Sequence, residues 1–332
     1  MDHTTFIAFL SIIVVLTLTF NGLAIFGLLK QRRYLSTYDI TLLFLMFIEF
    51  LQAIIGYPIE LFTKFKDGGF LCNIAGYSTT SLALVSILLL VALALMRVIS
   101  VMYPFKSRLL LNSKKSSLYF IVPSTLYGFA WGTFPLLGWS KYSPELNSDR
   151  TCSVDLISRN KNTLSYLYAL MIACYFIPLT VIFLTALGIG KKLWGRTMSL
   201  AAEQEQVKVA RARTEKRMAL FLFLVIAAFV IAWTPYALMI FLISLGGNVT
   251  TTWLDFSALL AKSSTFYNPV IYIFMHKRSR VAVFKFLGSI TETNNNTIDS
   301  GLPNPYRKRC DTNVTVVSFS QHILTDRHEY VR

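Results

Sequence analysis

Residues 71–103 read Leu71-Cys-Asn-Ile-Ala-Gly-Tyr-Ser-Thr-Thr-Ser-Leu-Ala-Leu-Val-Ser-Ile-Leu-Leu-Leu-Val-Ala-Leu-Ala-Leu-Met-Arg97-Val-Ile-Ser-Val-Met-Tyr103. One formally charged side chain, Arg97, stands near the end of an otherwise apolar or small-polar run. A helix needs roughly 20 apolar residues to cross the hydrocarbon of a bilayer. The run is long enough to span, and it lacks the strict alternation of an outer-membrane strand.

Six further windows of the same character lie around it: Phe6–Leu29, Asp39–Phe62, Leu118–Leu137, Leu164–Leu187, Met218–Leu245 and Trp253–Met275. The expected fold is therefore an all-α membrane protein, a seven-transmembrane helix bundle. Composition agrees. Of 332 residues, 54% are hydrophobic and 15% charged, against about 25% charged in a typical soluble domain. Mean hydropathy is +0.54. The net charge of +15 falls between apolar blocks, not over a polar surface, so a nucleic-acid binder is a poor fit. Pro58, Pro123, Pro135, Pro178, Pro235 and Pro269 lie inside the windows, which membrane helices tolerate because neighbours satisfy the freed backbone groups. The first window is too long for a signal-peptide core and has no Lys or Arg before it, so it reads as a mature helix.

Alternate loops are basic. One set carries Lys30, Arg32 and Arg33; Lys106, Arg108, Lys114 and Lys115; a run from Lys191 to Arg217; and Lys277, Arg278 and Arg280. The positive-inside rule makes that set cytoplasmic, with the N-terminus outside and the C-terminus inside. The same basic face suits anionic lipid or a cytosolic protein partner. Residues 276–286 alternate basic and apolar and read as a short amphipathic eighth helix on the membrane. A bundle domain is expected over 1–287, with a disordered polar tail over 288–332. No internal repeat points to a transporter.

Cys72 and Cys152 then share the oxidising side and are expected to form a disulfide pinning the loop after the fourth helix over the bundle. Cys174 reads as a small buried residue. Cys310 falls in the tail. Asn248-Val-Thr is a glycosylation sequon on an outer loop. No metal-ligating cluster is expected.

Ionisable residues inside spans are costly, about 2.5–3.5 kcal/mol at mid-helix, and are functional candidates. They are Glu49 and Glu60 in the second window, Arg97 in the third and Lys262 in the seventh. Lys262 lies too deep to snorkel. A desolvated lysine tends toward the neutral amine, a nucleophile that condenses with an aldehyde. The plainer alternative is a lysine paired with Glu49 or Glu60 for packing or ion passage.

The surrounding residues read Leu259-Leu-Ala-Lys262-Ser-Ser-Thr-Phe-Tyr-Asn268-Pro269-Val-Ile-Tyr272. With Asn21, Glu49, Cys72, Arg97, Trp233-Thr-Pro235-Tyr236 and the loop Gly138–Glu145 before Cys152, the chain over roughly 10–287 closely resembles the opsins, within the rhodopsin-like G-protein-coupled receptors. The resemblance implies a light-sensing receptor, not an enzyme, in a plasma or photoreceptor membrane. Retinal would be held on Lys262 as a protonated Schiff base, 11-cis in the dark and all-trans after light. It also implies a heterotrimeric G protein as partner, with arrestin and a receptor kinase for shut-off, and no nucleic acid.

A protonated nitrogen in a low-dielectric pocket needs a counter-charge. The acid of vertebrate visual pigments is replaced here by Ala75. Glu145 matches the loop acid of many invertebrate-type pigments, and Glu60 matches the counterion position of a jellyfish opsin; Glu145 is the favoured expectation. This pattern leans toward an invertebrate-type, cnidarian-like pigment. Trp233, Tyr236, Phe229 and Thr80 match chromophore-contacting positions. For signalling, the resemblance carries over Arg97, Glu49, Asn268, Pro269 and Tyr272. The acid that usually precedes the arginine is Met96 here, leaving Glu215 as its candidate partner, and Ala186 replaces a common tyrosine. These departures keep a second reading open, a retinal photoisomerase-type opsin with weak or no G-protein coupling. A light-driven pump of the microbial type would need carboxylates on the third helix, and that window has none.

Overall fold

In the computed structural model, the described residues are 3–30, 32–62, 69–111, 113–145, 151–200, 206–275, 280–281, 283–284 and 288. Side chains at 3, 34, 193–200, 206–216, 218–219 and 222 fall outside that description. Seven helical rods run through it. They are α1 (His3–Leu29), α2 with α3 (Thr37–Leu51 and Tyr57–Phe62), α4 (Phe70–Met102), α6 (Leu118–Thr133), α7 with α8 (Lys161–Met171 and Ile177–Leu200), α9 (Gln206–Ser244) and α10 (Thr251–Met275); a short α5 (Pro104–Leu110) follows α4. The architecture is the expected all-α bundle.

Six rods are long and apolar enough to cross a bilayer, and α10 falls short of that hydropathy. Its 25 residues would extend about 37 Å at 1.5 Å per residue, more than the roughly 30 Å of hydrocarbon. Its polar residues are the reason for the low hydropathy, and Ser257, Ser263, Thr265 and Asn268 are buried against the other helices. The rod α4 is central. It packs against α2, α6 and α8 and against both strands of a hairpin between the fourth and fifth rods, and 67% of its apolar window is buried against 17% for α9. Its approach to α6 depends on Gly128, where a Cβ would lie 2.5 Å from Val85 Cγ2.

Local chemistry sets the breaks. Ser36 and Asp39 form a reciprocal capping box that opens α2, with Ser36 N donating to Asp39 Oδ2 at 2.9 Å and Asp39 N to Ser36 Oγ at 3.2 Å, satisfying otherwise orphaned N–H groups. Two rods contain a single π-helical turn, Gln52–Gly56 and Ile172–Phe176. Each precedes a proline, Pro58 or Pro178, which cannot donate to the ladder. A π-turn inserts an extra residue, so the side chains beyond it face a different direction than an unbroken helix would give. The sixth rod starts at Gln206, before the expected Met218, because its Lys, Arg, Ala and Glu residues favour helix beyond the apolar window. The fourth rod ends its α-helix at Thr133, with a 3-10 turn over Phe134–Leu137 that contains Pro135.

Between α6 and α7 a two-stranded antiparallel hairpin forms, β1 (Tyr142–Pro144) against β2 (Cys152–Val154), with Pro144 opposite Cys152. The described helices belong to one unit, Met1–Phe284, and of Lys285–Arg332 only residue 288 is described. Of the expected eighth helix, 280–281 and 283–284 are helical, and Arg280 Nη1 donates to the Phe274 carbonyl at 3.1 Å. The rest of it, the tail with Cys310 and its hydroxyls, and the Glu215 side chain lie outside the described residues.

Candidate functional site

The rods line a cavity of about 170 Å3, with mostly apolar walls that include Leu84, Ile87, Leu167, Phe229, Trp233 and Ile240. A single water needs only about 10–15 Å3, so the space admits a sizeable organic ligand. Lys262 projects from α10 into it.

Lys262 has a direct ionic partner. Its Nζ lies 2.8 Å from both Glu60 Oε1 and Glu60 Oε2, and the lysine side chain is 17% exposed against 1% for the glutamate. Tyr57, one turn earlier on α3, turns its ring toward the same nitrogen at 5.3 Å from the centroid. Its hydroxyl donates to the Lys262 carbonyl at 3.3 Å. Positions 57 and 60 share a helix face, and the π-turn just before them sets which way that face points.

Glu145 lines the same cavity from the hairpin and is buried. It makes no ion pair with Lys262. Instead Tyr236 Oη donates to Glu145 Oε1 at 3.3 Å, Thr151 Oγ1 to Oε2 at 3.2 Å, and the Glu145 N–H to the Thr151 carbonyl at 2.9 Å. The free lysine thus faces Glu60 and not Glu145. Although it lies in a loop, the Glu145 side chain is buried.

Other expected residues converge here. Trp233 Nε1 donates to Ser264 Oγ at 3.1 Å, bridging α9 to α10, and the Phe229 ring lies tilted against it with centroids 6.2 Å apart. Thr80 lines the α4 wall. Toward the other end the floor is polar. Asn268 Nδ2 donates to Glu49 Oε1, and Asn21 Nδ2 donates to the carbonyls of Thr265 at 2.9 Å and Thr17 at 3.0 Å. Tyr272 is buried against Phe221, and Pro269 lies within α10.

The hairpin forms the lid. Cys72 and Cys152 are disulfide-bonded, and Ala75 is fully buried beside them. Tyr142 Oη donates to the Gly132 carbonyl at 2.7 Å, and its ring fills the space a Cβ on Gly76 would need, 2.4 Å away. Past β2, Asp155 Oδ1 accepts from the N–H groups of Ile157 (2.9 Å) and Ser158 (3.0 Å), with Lys141 Nζ 3.6 Å from Oδ2. Burial pushes the Asp155 pKa up, but the hydrogen bonds from Ser158 and Ile157 and the Lys141 charge outweigh it, leaving it below the ordinary value. Asn248 is exposed on the connection between α9 and α10.

At the basic end, Arg97 is separate from the cavity. Its guanidinium lies over the Tyr38 ring at 5.0 Å, and its Nε and Nη2 are buried without a hydrogen-bond partner. Met96 beside it is fully buried.

Sequence reading missed Tyr57, Ser264 and Tyr38. Tyr57 had a signal, its i, i+3 spacing to Glu60. The other two are ordinary residues whose roles depend on which helices meet.

The sequence profile of the 7 transmembrane receptor (rhodopsin family) matches residues 20–272. The chain is 28% identical over 293 residues to the green-sensitive opsin P521 of Gekko gecko, covering 85% of this chain and 78% of that one. It is 27% identical over 291 residues to the rhodopsin, G0-coupled, of Mizuhopecten yessoensis, covering 85% and 72%. The crystal structure of squid rhodopsin superposes with a TM-score of 0.77 at 22% identity, over 92% of this chain and 94% of that one, a likeness of fold.

Proposed function

Since the chain belongs to the rhodopsin family of seven-transmembrane receptors, we propose that it is a light-sensing receptor of the opsin type that carries retinal on Lys262. The observation that carries this reading is an amine inside an apolar cavity, paired at 2.8 Å with a buried carboxylate. Similarity to the green-sensitive opsin P521 of Gekko gecko and to the G0-coupled rhodopsin of Mizuhopecten yessoensis supports it. The residues fit the group: the walls suit a polyene and the amine suits its aldehyde. When bound, retinal supplies visible absorption and a light-driven change from the 11-cis to the all-trans shape.

The chain's own residues would do the rest. Glu60 stabilises positive charge on the Lys262 nitrogen, because Coulombic attraction at 4 Å is worth about 4 kcal/mol at an effective dielectric of 20. Trp233, locked to Ser264, receives the change of shape and transmits it to α9. Arg97, with the Asn268-Pro269-x-x-Tyr272 segment, controls the basic end, where a heterotrimeric G protein docks. That end is cytoplasmic by the positive-inside rule, and the N-terminus extracellular. Arrestin and a receptor kinase would act on the same side, through tail hydroxyls such as Thr291 and Ser300. Pairing of Glu60 with Lys262, and Ala75 in place of an acid, support the invertebrate-type, cnidarian-like lean. Met96, standing where an acid would restrain Arg97 in the inactive state, keeps a second reading open, a retinal photoisomerase-type opsin with weak or no G-protein coupling.

The test is regeneration of the purified protein with 11-cis-retinal. A visible band is expected, absent in Lys262→Ala, moved to the ultraviolet in Glu60→Gln and kept in Glu145→Gln. No band in the unaltered protein would overturn the reading. Light-triggered nucleotide exchange in membranes with each G-protein class separates receptor from photoisomerase.

A further inference from the structure

We propose that Tyr57 is a second stabiliser of positive charge at the Lys262 nitrogen, its ring face sharing with the Glu60 carboxylate the work that a single counterion would otherwise do. The inference rests on the retinal reading and names a further residue in contact with the reacting nitrogen. Lys262 Nζ here stands in for the nitrogen of the linkage to retinal.

Three observations carry it. The Nζ lies 5.3 Å from the Tyr57 centroid, inside the ~6 Å range at which a ring quadrupole attracts a cation. Tyr57 is fully buried, and desolvation strengthens such contacts over exposed ones. Its hydroxyl donates to the Lys262 backbone carbonyl at 3.3 Å, which fixes the ring against α10. The carboxylate and the ring face therefore take separate approaches to one ammonium, and both come from the short helix Tyr57–Phe62. A carboxylate attracts strongly but needs its own lone pairs satisfied when buried. A ring face adds attraction without adding a group to be satisfied.

The experiment is a spectral titration of the retinal-regenerated pigment with phenylalanine, then its mono-, di- and trifluorinated forms, at position 57. Fluorination removes the ring's negative face at nearly constant volume. Tyr57→Phe should leave the midpoint of the visible-to-ultraviolet transition close to that of the unaltered protein. Each fluorine should then move it to lower pH, by on the order of one unit across the series. A non-aromatic variant, Tyr57→Leu, should fall at least as far as the trifluorinated form. A purely structural role would lower pigment yield and leave the midpoint in place. If the unaltered pigment titrates normally and the midpoint ignores fluorination, this proposal is overturned while the retinal reading stands. If the unaltered protein gives no visible band, both fall.

Discussion

At the residue scale, Glu60 and Lys262 show how a charge pair becomes tolerable inside a membrane bundle. Either alone in the apolar interior would be costly; removing one partner of a buried pair typically costs about 3–5 kcal/mol because the other is left uncompensated. Glu60→Ala is therefore expected to lower thermal stability in the retinal-free protein, whereas Glu60→Ala with Lys262→Met should recover most of the loss. The melting temperatures of the unaltered protein and the two variants check this. Gly76 makes a second residue-scale case. Because the Tyr142 ring sits 2.4 Å from where a Cβ would go, Gly76→Ala forces the hairpin off the bundle. A loss of about 1–3 kcal/mol is expected, the usual cost of overpacking, and Tyr142→Ala in the same chain should relieve part of it, as a double-mutant cycle would read.

At the scale of elements, the hairpin is held by more than its disulfide. Asp155 anchors the turn after β2 through the Ile157 and Ser158 amides and the Lys141 ammonium. Its folded pKa is depressed, so its contribution is fully present above the ordinary aspartate value of about 3.9 and is lost as pH falls through the lower folded value. Hydrogen exchange at Ile157 and Ser158, corrected for intrinsic rates, should stay protected at pH 5 and above and lose protection only in stronger acid. Asp155→Asn should show reduced protection at neutral pH and a flatter pH dependence. The same element carries Glu145 to the cavity wall, so loosening the turn should also shift the absorption band of a regenerated pigment.

At the scale of the whole molecule, α9 and α10 run between two ends of the bundle that differ in chemistry. The cavity, with Lys262, sits toward the hairpin, and Arg97 sits toward the basic loops, where Lys114 Nζ reaches the Arg32 carbonyl at 2.8 Å. With Met96 in place of an acid, Arg97 rests against Tyr38. On the receptor reading, this contact restrains the inactive arrangement. Tyr38→Ala is then expected to raise nucleotide exchange in the dark roughly two- to tenfold, the equivalent of a cation–π contact of about 0.5–1.4 kcal/mol. Tyr38→Phe should keep dark exchange near the unaltered level. Unchanged dark exchange in Tyr38→Ala would remove Tyr38 from the mechanism.

Much of this was readable along the chain because membrane burial imposes a one-dimensional rule: a span must be long and apolar, and any charge within it needs a reason. That rule determined the helical rods, marked Lys262, Glu49, Glu60 and Arg97 as exceptional, and put Cys72 and Cys152 on the same side. Even α10, whose polar face lowers its hydropathy, was legible by its length and by the residues around Lys262. What the chain could not reveal was who meets whom. Glu60 and Glu145 are both plausible partners from sequence because each lies near the end of the bundle that carries Cys72 and Cys152. The choice depends on the Gln52–Gly56 π-turn, which sets the direction of the face carrying Tyr57 and Glu60, and on the Tyr236 and Thr151 hydroxyls, which occupy Glu145. A local deviation in helical phase leaves no periodic trace in five residues, and a hydrogen bond between residues 91 positions apart leaves none at all. Hydrophobicity along the sequence therefore determined the spans, and only their packing decided which carboxylate the lysine faces.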